Sequence, residues 1–183
     1  MRIISGPTRF GLVMLLILWV PILTNAQQSK TETDWSAMKF LIGDWTGDGG
    51  GKPGQGSGES SFKLDLQGKV LVRRSQSDYP ATADKPAISH SDLMIIHPKA
   101  SGKGFEAIYF DNEGFVIHYD VIKSDDKKVL TLISEPSPSA PRFRLVYTQI
   151  SETTMTVRFD IAPPGKPEAF AKYVEGTLHR KAS

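Results

Sequence analysis

The chain contains no cysteine among its 183 residues. This absence excludes disulfide bonds, thiolate-bound zinc, a cysteine nucleophile and a lipid-modified N-terminal cysteine. Charge of one sign is also lacking, because 22 Lys and Arg stand against 20 Asp and Glu. Nucleic-acid binding depends on a basic stripe that displaces counterions, so we expect no nucleic-acid partner. After residue 26 no apolar run is long enough to cross a bilayer as a helix, which predicts no stable membrane span in the mature chain.

The first 26 residues have the layout of a secretory signal peptide. Arg2 and Arg9 introduce an apolar segment, residues 10–23, which is followed by the short polar sequence Thr24-Asn25-Ala26. The apolar segment is shorter than the roughly 20 residues that a transmembrane helix requires. The sequence therefore predicts a signal peptide over residues 1–26 and an exported protein, periplasmic or secreted, from a bacterium. An uncleaved membrane anchor is the alternative.

The remaining chain predicts a short tether and one domain. Residues 27–33 are polar, and residues 34–183 are enough for a single core. Asp34 followed by apolar Trp35 and Phe40 predicts one short helix. Beyond it, short segments rich in β-branched and aromatic residues are separated by turn signals. This pattern predicts an all-β fold, an antiparallel up-and-down barrel of about ten strands with one N-terminal helix.

A glycine-rich stretch, residues 47–58, raises the question of a phosphate-binding loop. Residues 49–54 formally match G-x-G-x-x-G. The dinucleotide mechanism requires those glycines to open a helix, and no helical periodicity follows Pro53. The stretch instead predicts a flexible hairpin loop, Gly47 to Gly58, that forms an accessible mouth of the barrel.

The segment WSAMKFLIGDW resembles the entrance to a calycin barrel, the superfamily that includes the lipocalins. There a Gly-x-Trp triplet begins the first strand just after a short helix, as Gly43-Asp44-Trp45 does here. The resemblance implies that a basic residue on the last strand, Arg180, packs over Trp45 and closes one end of the barrel. More closely, FLIGDWTGDGG, YFDNEG and GTLHRK resemble the bacterial DUF1579-type calycin-like proteins.

The nitrobindin-like branch of this superfamily binds haem through a histidine on the final strand. Aligning the last strands on Leu178-His179-Arg180 places Lys172 or Tyr173 near the expected ligand position, and no histidine. No cofactor is therefore predicted, and haem binding is kept as an alternative.

Two histidines have a carboxylate two residues away on the same strand face, as His90 with Asp92 and His118 with Asp120. Such a pair can orient a general base or help to hold a metal. Alternation also places such pairs on the solvent face of a strand, and that interpretation is favoured here. We therefore predict no catalytic and no metal-binding residue. A haem- or metal-dependent enzyme, the alternative, would need His90 or His118 to face inward.

Of the adjacent pair Arg73 and Arg74, one must face the interior, because neighbouring strand residues point to opposite faces. Arg74 shares a face with Val70 and Val72 and is predicted to point inward, where it could fix a ligand carboxylate. The predicted lumen residues are Trp45, Arg74, Tyr109, Tyr119, Tyr147 and Phe159.

The leading hypothesis is a non-enzymatic barrel that binds a small apolar or amphipathic molecule in its interior. The third hypothesis, beside the enzyme, is a packed structural or interaction module of the cell envelope. The sequence assigns no oligomeric state.

Overall fold

A short 3₁₀ helix and ten β-strands form the structure, a computed structural model that describes residues 33–182. The predicted signal peptide and residues 27–32 of the predicted tether lie outside the described residues. The helix covers Ser36–Leu41. The strands are β1 (Gly43–Gly51), β2 (Gln55–Asp65), β3 (Val70–Tyr79), β4 (Ile88–Pro98), β5 (Phe105–Asp111), β6 (Val116–Lys123), β7 (Val129–Ser134), β8 (Arg142–Gln149), β9 (Thr154–Ala162) and β10 (Ala171–Arg180).

Each strand pairs antiparallel with its neighbours in sequence, and β1 pairs with β10 to close the barrel. The predicted all-β up-and-down barrel is confirmed. Closure leaves no unpaired sheet edge, so it removes the surface on which strands of other chains could add. No helix within residues 33–182 is long and apolar enough to cross a membrane.

The 3₁₀ helix covers one end of the barrel, which we call the closed end. Asp34 Oδ1 accepts a hydrogen bond of 2.9 Å from the Ser36 backbone N–H just before the helix. Trp35 Nε1 donates to the Gly68 carbonyl at 2.8 Å, and Lys127 Nζ donates to Ser36 Oγ at 3.0 Å. These bonds attach the helix to the β2–β3 and β6–β7 turns.

Arg180 lies over Trp45 at the closed end, with its guanidinium carbon 4.3 Å from the ring centroid. Its two terminal nitrogens donate to the carbonyls of Phe40 at 2.9 Å and Ile42 at 2.5 Å. Gly43 has φ of +129°, and a Cβ atom there would lie 2.4 Å from Arg180 Nη1. The guanidinium therefore joins the last strand to the helix in the space that the glycine leaves.

The half of the interior next to the helix is a packed apolar core. Its fully buried side chains come from most strands of the barrel. They include Trp45, Phe62, Leu71, Met94, Ile96, Leu130, Leu132 and Met155. Because this half is filled, any space for a ligand must lie toward the opposite end, which we call the mouth.

The predicted hairpin is present, but the predicted loop from Gly47 to Gly58 is too long, because most of the glycine-rich stretch is strand. β1 runs to Gly51 and β2 begins at Gln55, which leaves only residues 52–54 as the turn. Gly49 is paired with Gly176 on one side and Gly56 on the other. The glycines allow neighbouring backbones to approach closely inside a curved sheet, which is a known use of glycine in strands.

Candidate functional site: a hollow lumen with a buried polar cluster

A cavity of about 620 Å³ occupies the mouth half of the barrel. Several aromatic side chains line it, namely Tyr109, Tyr119, Phe143, Tyr147, Phe159 and Tyr173. On the side of β1, β2 and β10 the wall includes glycine at positions 47, 49, 56, 58 and 176. Glycines contribute no side chain to the interior, so the cavity exists partly because this wall is bare.

A buried ion pair lies at the floor of the cavity. Arg73 Nη2 on β3 donates to Asp92 Oδ2 on β4 at 2.6 Å, and the two side chains are only 9% and 4% exposed. Arg73 Nη1 donates across the lumen to the hydroxyl of Tyr147 on β8. Burial disfavours the Arg73 cation, but Asp92 and the neighbouring tyrosines outweigh it and hold its pKa above the ordinary value.

The ion pair leaves two buried atoms without a hydrogen bond, Arg73 Nε and Asp92 Oδ1. A buried polar atom without a partner costs free energy, and native folds keep few of them. Their presence beside the cavity indicates that packing alone does not explain the pair.

The prediction for the arginine pair is wrong, because Arg73 faces the lumen and Arg74 is exposed. Leu71 rather than Val70 and Val72 shares the inward face with Arg73, and Leu71 is fully buried. Val72 lies on the outer face, paired with Ile95 of β4. Near the closed end β3 has apolar residues on both faces. The alternation of apolar and polar residues therefore does not show which of the two arginines faces the lumen.

Three buried or half-buried tyrosines line the cavity close enough to Arg73 to feel its charge, and the hydroxyl of one, Tyr147, accepts a hydrogen bond from it. Burial raises the pKa of Tyr147 to about 12, although the adjacent Arg73 acts in the opposite direction. Burial also raises the pKa of Tyr109 and of Tyr119. Tyr119 is 3% exposed and lines the cavity, and no other group of residues 33–182 hydrogen-bonds its hydroxyl. It is an unused polar group that a bound molecule could contact.

His90 lies on the cavity wall, so the expectation that His90 and Asp92 face solvent is wrong. His90 Nε2 lies 2.9 Å from the Tyr109 hydroxyl, and Nδ1 lies 3.0 Å from Glu113 Oε1. Asp92 Oδ2 is 3.8 Å from His90 Nε2. The inward face of β4 continues through Met94 and Ile96, both fully buried.

The other histidine pair stays outside. His118 is exposed on β6, and its neighbour Asp120 contacts Lys99 Nζ instead. Ser60 and Ser75 line the cavity, but their hydroxyls bond each other at 2.8 Å. No serine–histidine pair therefore forms among the described residues.

The remaining lumen predictions divide between cavity and core. Tyr109, Tyr119, Tyr147 and Phe159 line the cavity. Trp45 does not, because it is fully buried beneath Arg180 at the closed end, and its Nε1 donates to the Leu41 carbonyl at 2.7 Å. The prediction that Trp45 lines the lumen is wrong, because the part of β1 that carries Trp45 lies in the packed half of the barrel.

Nothing in the sequence was interpreted as placing Arg73, His90 or Asp92 in the cavity. The same holds for the glycines at positions 47, 49, 56, 58 and 176, which we call the glycine wall. One signal was available, the repeat of glycine at every second position from Gly47 to Gly51, which indicates one bare face of a strand.

The residues at the expected position of the haem ligand do not supply a histidine. At the position where the nitrobindin-like resemblance expects a histidine, Lys172 is exposed and pairs with Glu175, and Tyr173 packs edge-on against Phe159. His90 is the one histidine among the described residues that lines the cavity, and both of its ring nitrogens already have partners. Within residues 33–182 no group of three His, Cys, Asp or Glu side chains is arranged to hold a metal ion.

Stability at high pH is expected to report the burial of these tyrosines. The folded-state pKa of Tyr147 is about 12, above the ordinary tyrosine value near 10. The stability that depends on its neutral, buried hydroxyl is therefore complete below about pH 10 and is lost as pH rises toward about 12. Urea midpoints measured across this window should fall. In Tyr147→Phe the whole curve should lie lower, because the bond from Arg73 is lost, and the fall should be shallower. An unchanged slope in the variant would contradict the assignment.

Several solved structures are similar to this chain. The crystal structure of Rv2717c from M. tuberculosis has a TM-score of 0.56 and 18% identity, covering 81% of this chain and 97% of that chain. The S-type phycobiliprotein lyase CPES from Guillardia theta has a TM-score of 0.48 and 7% identity, covering 81% of this chain and 92% of that chain. A de novo designed fluorescence-activating β-barrel has a TM-score of 0.41 and 11% identity, covering 79% of this chain and 97% of that chain.

At this identity the likeness to Rv2717c shows the barrel fold alone, and the two weaker likenesses carry no argument. No protein-family model matches the chain, and no curated protein does. The DUF1579-type resemblance therefore stays a prediction.

Proposed function

We propose that this chain is an exported barrel protein that binds one small amphipathic molecule in its lumen. The observation that carries the proposal is the contrast between the two halves of the interior, one packed and one hollow. Protein interiors are close-packed, and large empty volumes are few. The cavity of about 620 Å³ falls within the roughly 300–1,000 Å³ that is typical of small-molecule sites.

The chemistry of the wall supports an amphipathic occupant. The part that β6, β8 and β9 contribute is aromatic or aliphatic, and the polar groups on the side of β3 and β4 include Arg73, Asp92 and His90. A few polar groups in an apolar cavity fix the orientation of a ligand and provide specificity. The unused hydroxyl of Tyr119 is available for that purpose.

The alternatives have less support. A packed structural module would not need a bare glycine wall around an open space. A haem- or metal-dependent enzyme has less support because both ring nitrogens of His90, the one histidine on the cavity wall among the described residues, already have partners. Export is proposed from the N-terminal sequence alone.

Filling the cavity tests the proposal. Ser77 lies on the inward face of β3 opposite Gly58, so Ser77→Trp places an indole in the open half of the lumen. Asp78→Trp adds the same group to the exposed outer face of the same strand. By native mass spectrometry and calorimetry, Ser77→Trp should weaken binding of an amphipathic probe roughly tenfold or more, and Asp78→Trp should leave it unchanged. Equal binding by both folded variants would disprove a lumen site.

A further inference from the structure

The geometry points to an organic cation as the occupant of the lumen, namely a protonated or quaternary amine carried on an apolar body. This inference rests on the proposed function and specifies which polar group the barrel recognises. Three features of the wall support it: a guanidinium that is already paired, an excess of carboxylates, and aromatic rings.

The guanidinium is not free to receive an anion. Arg73 is the one arginine among the described residues that line the lumen. Its Nη2 is paired with Asp92 at 2.6 Å, its Nη1 donates to Tyr147, and its Nε is buried without access to the cavity. A ligand carboxylate could bind Arg73 only by displacing Asp92, which would leave that charge buried and unpaired.

Carboxylates outnumber cations on the β4–β5 side of the lumen. Asp92, Asp111 and Glu113 all line the cavity there, around His90. Arg73 balances Asp92, and Glu113 Oε1 lies 3.0 Å from His90 Nδ1. Asp111 Oδ2 accepts only the Tyr109 hydroxyl, at 3.2 Å. A ligand anion would meet repulsion at this wall, whereas a ligand cation would be attracted.

Aromatic rings offer a second attraction to the same ligand. Ring faces attract cations, and aromatic-lined pockets recognise quaternary ammonium groups. Because burial raises the pKa of Tyr109 and Tyr119, both remain neutral phenols near neutral pH. The Tyr119 hydroxyl, in a residue only 3% exposed, can accept a hydrogen bond from a protonated amine.

Two lysines at the mouth do not reverse this preference. Lys52 and Lys85 are both exposed, and Lys85 Nζ donates to the Lys52 carbonyl at 3.0 Å. Charges in water at the rim are screened by salt, whereas the Asp92 carboxylate, with a side chain only 4% exposed, is screened less.

Calorimetry with three probes that share one alkyl chain tests the inference: decyltrimethylammonium, decanol and decanoate, each below its micellar concentration. We expect decyltrimethylammonium to bind about tenfold more tightly than decanoate, with decanol between them. Tighter binding of decanoate would overturn the cation assignment and leave the lumen proposal standing. Binding of none of the three would remove the proposed function itself.

Substitution of single carboxylates on the β4–β5 side of the lumen tests their role, and Asp78→Asn is the matched control. Glu113→Gln changes an exposed side chain at the mouth, and Asp111→Asn keeps an acceptor for the turn it stabilises. Each should weaken decyltrimethylammonium several-fold and leave decanol unchanged. Asp78→Asn, on the exposed outer face of β3, should alter neither. Loss of decanol and ammonium affinity in equal measure would show that the acids act on structure and would overturn the assignment.

Discussion

Arg73→Ala is expected to lower the free energy of unfolding by about 3–5 kcal/mol, because it leaves the Asp92 carboxylate buried without its partner. The same range is expected for Asp92→Ala, which strands the guanidinium instead. Equilibrium unfolding in urea, followed by tryptophan fluorescence, measures both values. Arg74→Ala is the matched control, since the neighbouring side chain is exposed on the outer face. It should change stability by no more than about 0.5 kcal/mol.

The double variant Arg73→Met with Asp92→Leu separates the cost of an unpaired charge from the value of the pair. Apolar replacement of a whole buried ion pair is often neutral or stabilising. It would also remove the two unsatisfied atoms, Arg73 Nε and Asp92 Oδ1. We therefore expect the double variant to be at least as stable as the parent and to bind the lumen probes poorly. A double variant as unstable as the single ones would show that the pair serves mainly the fold.

The stability of the double variant bears on why the chain keeps the ion pair between Arg73 and Asp92. If the double variant is at least as stable as the parent, the half-satisfied ion pair beside the cavity serves something other than folding. In the lumen, Arg73 orients Tyr147 and Asp92, and both of these side chains line the space where a ligand would lie.

The topology of the barrel could be predicted because it depends on local signals. Short strands separated by turn residues leave few arrangements other than an antiparallel meander, and closure then follows from the number of strands. Gly43, Trp45 and Arg180 could be identified as neighbours because the calycin resemblance relates the two ends of the chain. The structure places the Arg180 guanidinium 4.3 Å from the Trp45 ring.

The inward face of individual strands could not be predicted with the same success. A shift of one residue moves every side chain of a strand to the opposite face. In β3 the run Val70-Leu71-Val72 offers apolar residues to both faces, and the structure uses Leu71. In β4 each face carries a pair of apolar residues, and the two pairs are similarly apolar. The local sequence therefore does not show that His90 lies inside.

Polar residues add a physical reason for these errors. Hydrophobic alternation assumes that charged groups face water. This lumen breaks that rule, because some of its polar groups are held inside by partners that come from distant strands. Arg73 is kept in place by Tyr147, which is 74 positions away in sequence. Such a pairing exists only once the barrel has closed.

The glycine wall leads to the second large effect. Gly49→Ala is expected to destabilise the barrel by about 3 kcal/mol, because an added Cβ would lie 2.3 Å from the Glu175 carbonyl oxygen and 2.5 Å from Gly176 Cα. These are backbone atoms of β10, which cannot move without disturbing the pairing that closes the barrel. Thermal and urea unfolding of the purified variant measure the loss.

Gly50→Ala is the matched control, because it changes the next residue of the same strand. There an added Cβ would meet only the amide end of Gln55, an exposed and flexible side chain that can turn away. We expect a change within about 0.5 kcal/mol of the parent, since surface substitutions usually have effects of that size. Equal losses in the two variants would mean that glycine is needed here for chain flexibility, as the loop prediction assumed. A loss confined to Gly49→Ala would show that the glycines are needed because β1 and β10 approach each other too closely for a side chain, on the same face that leaves the lumen open.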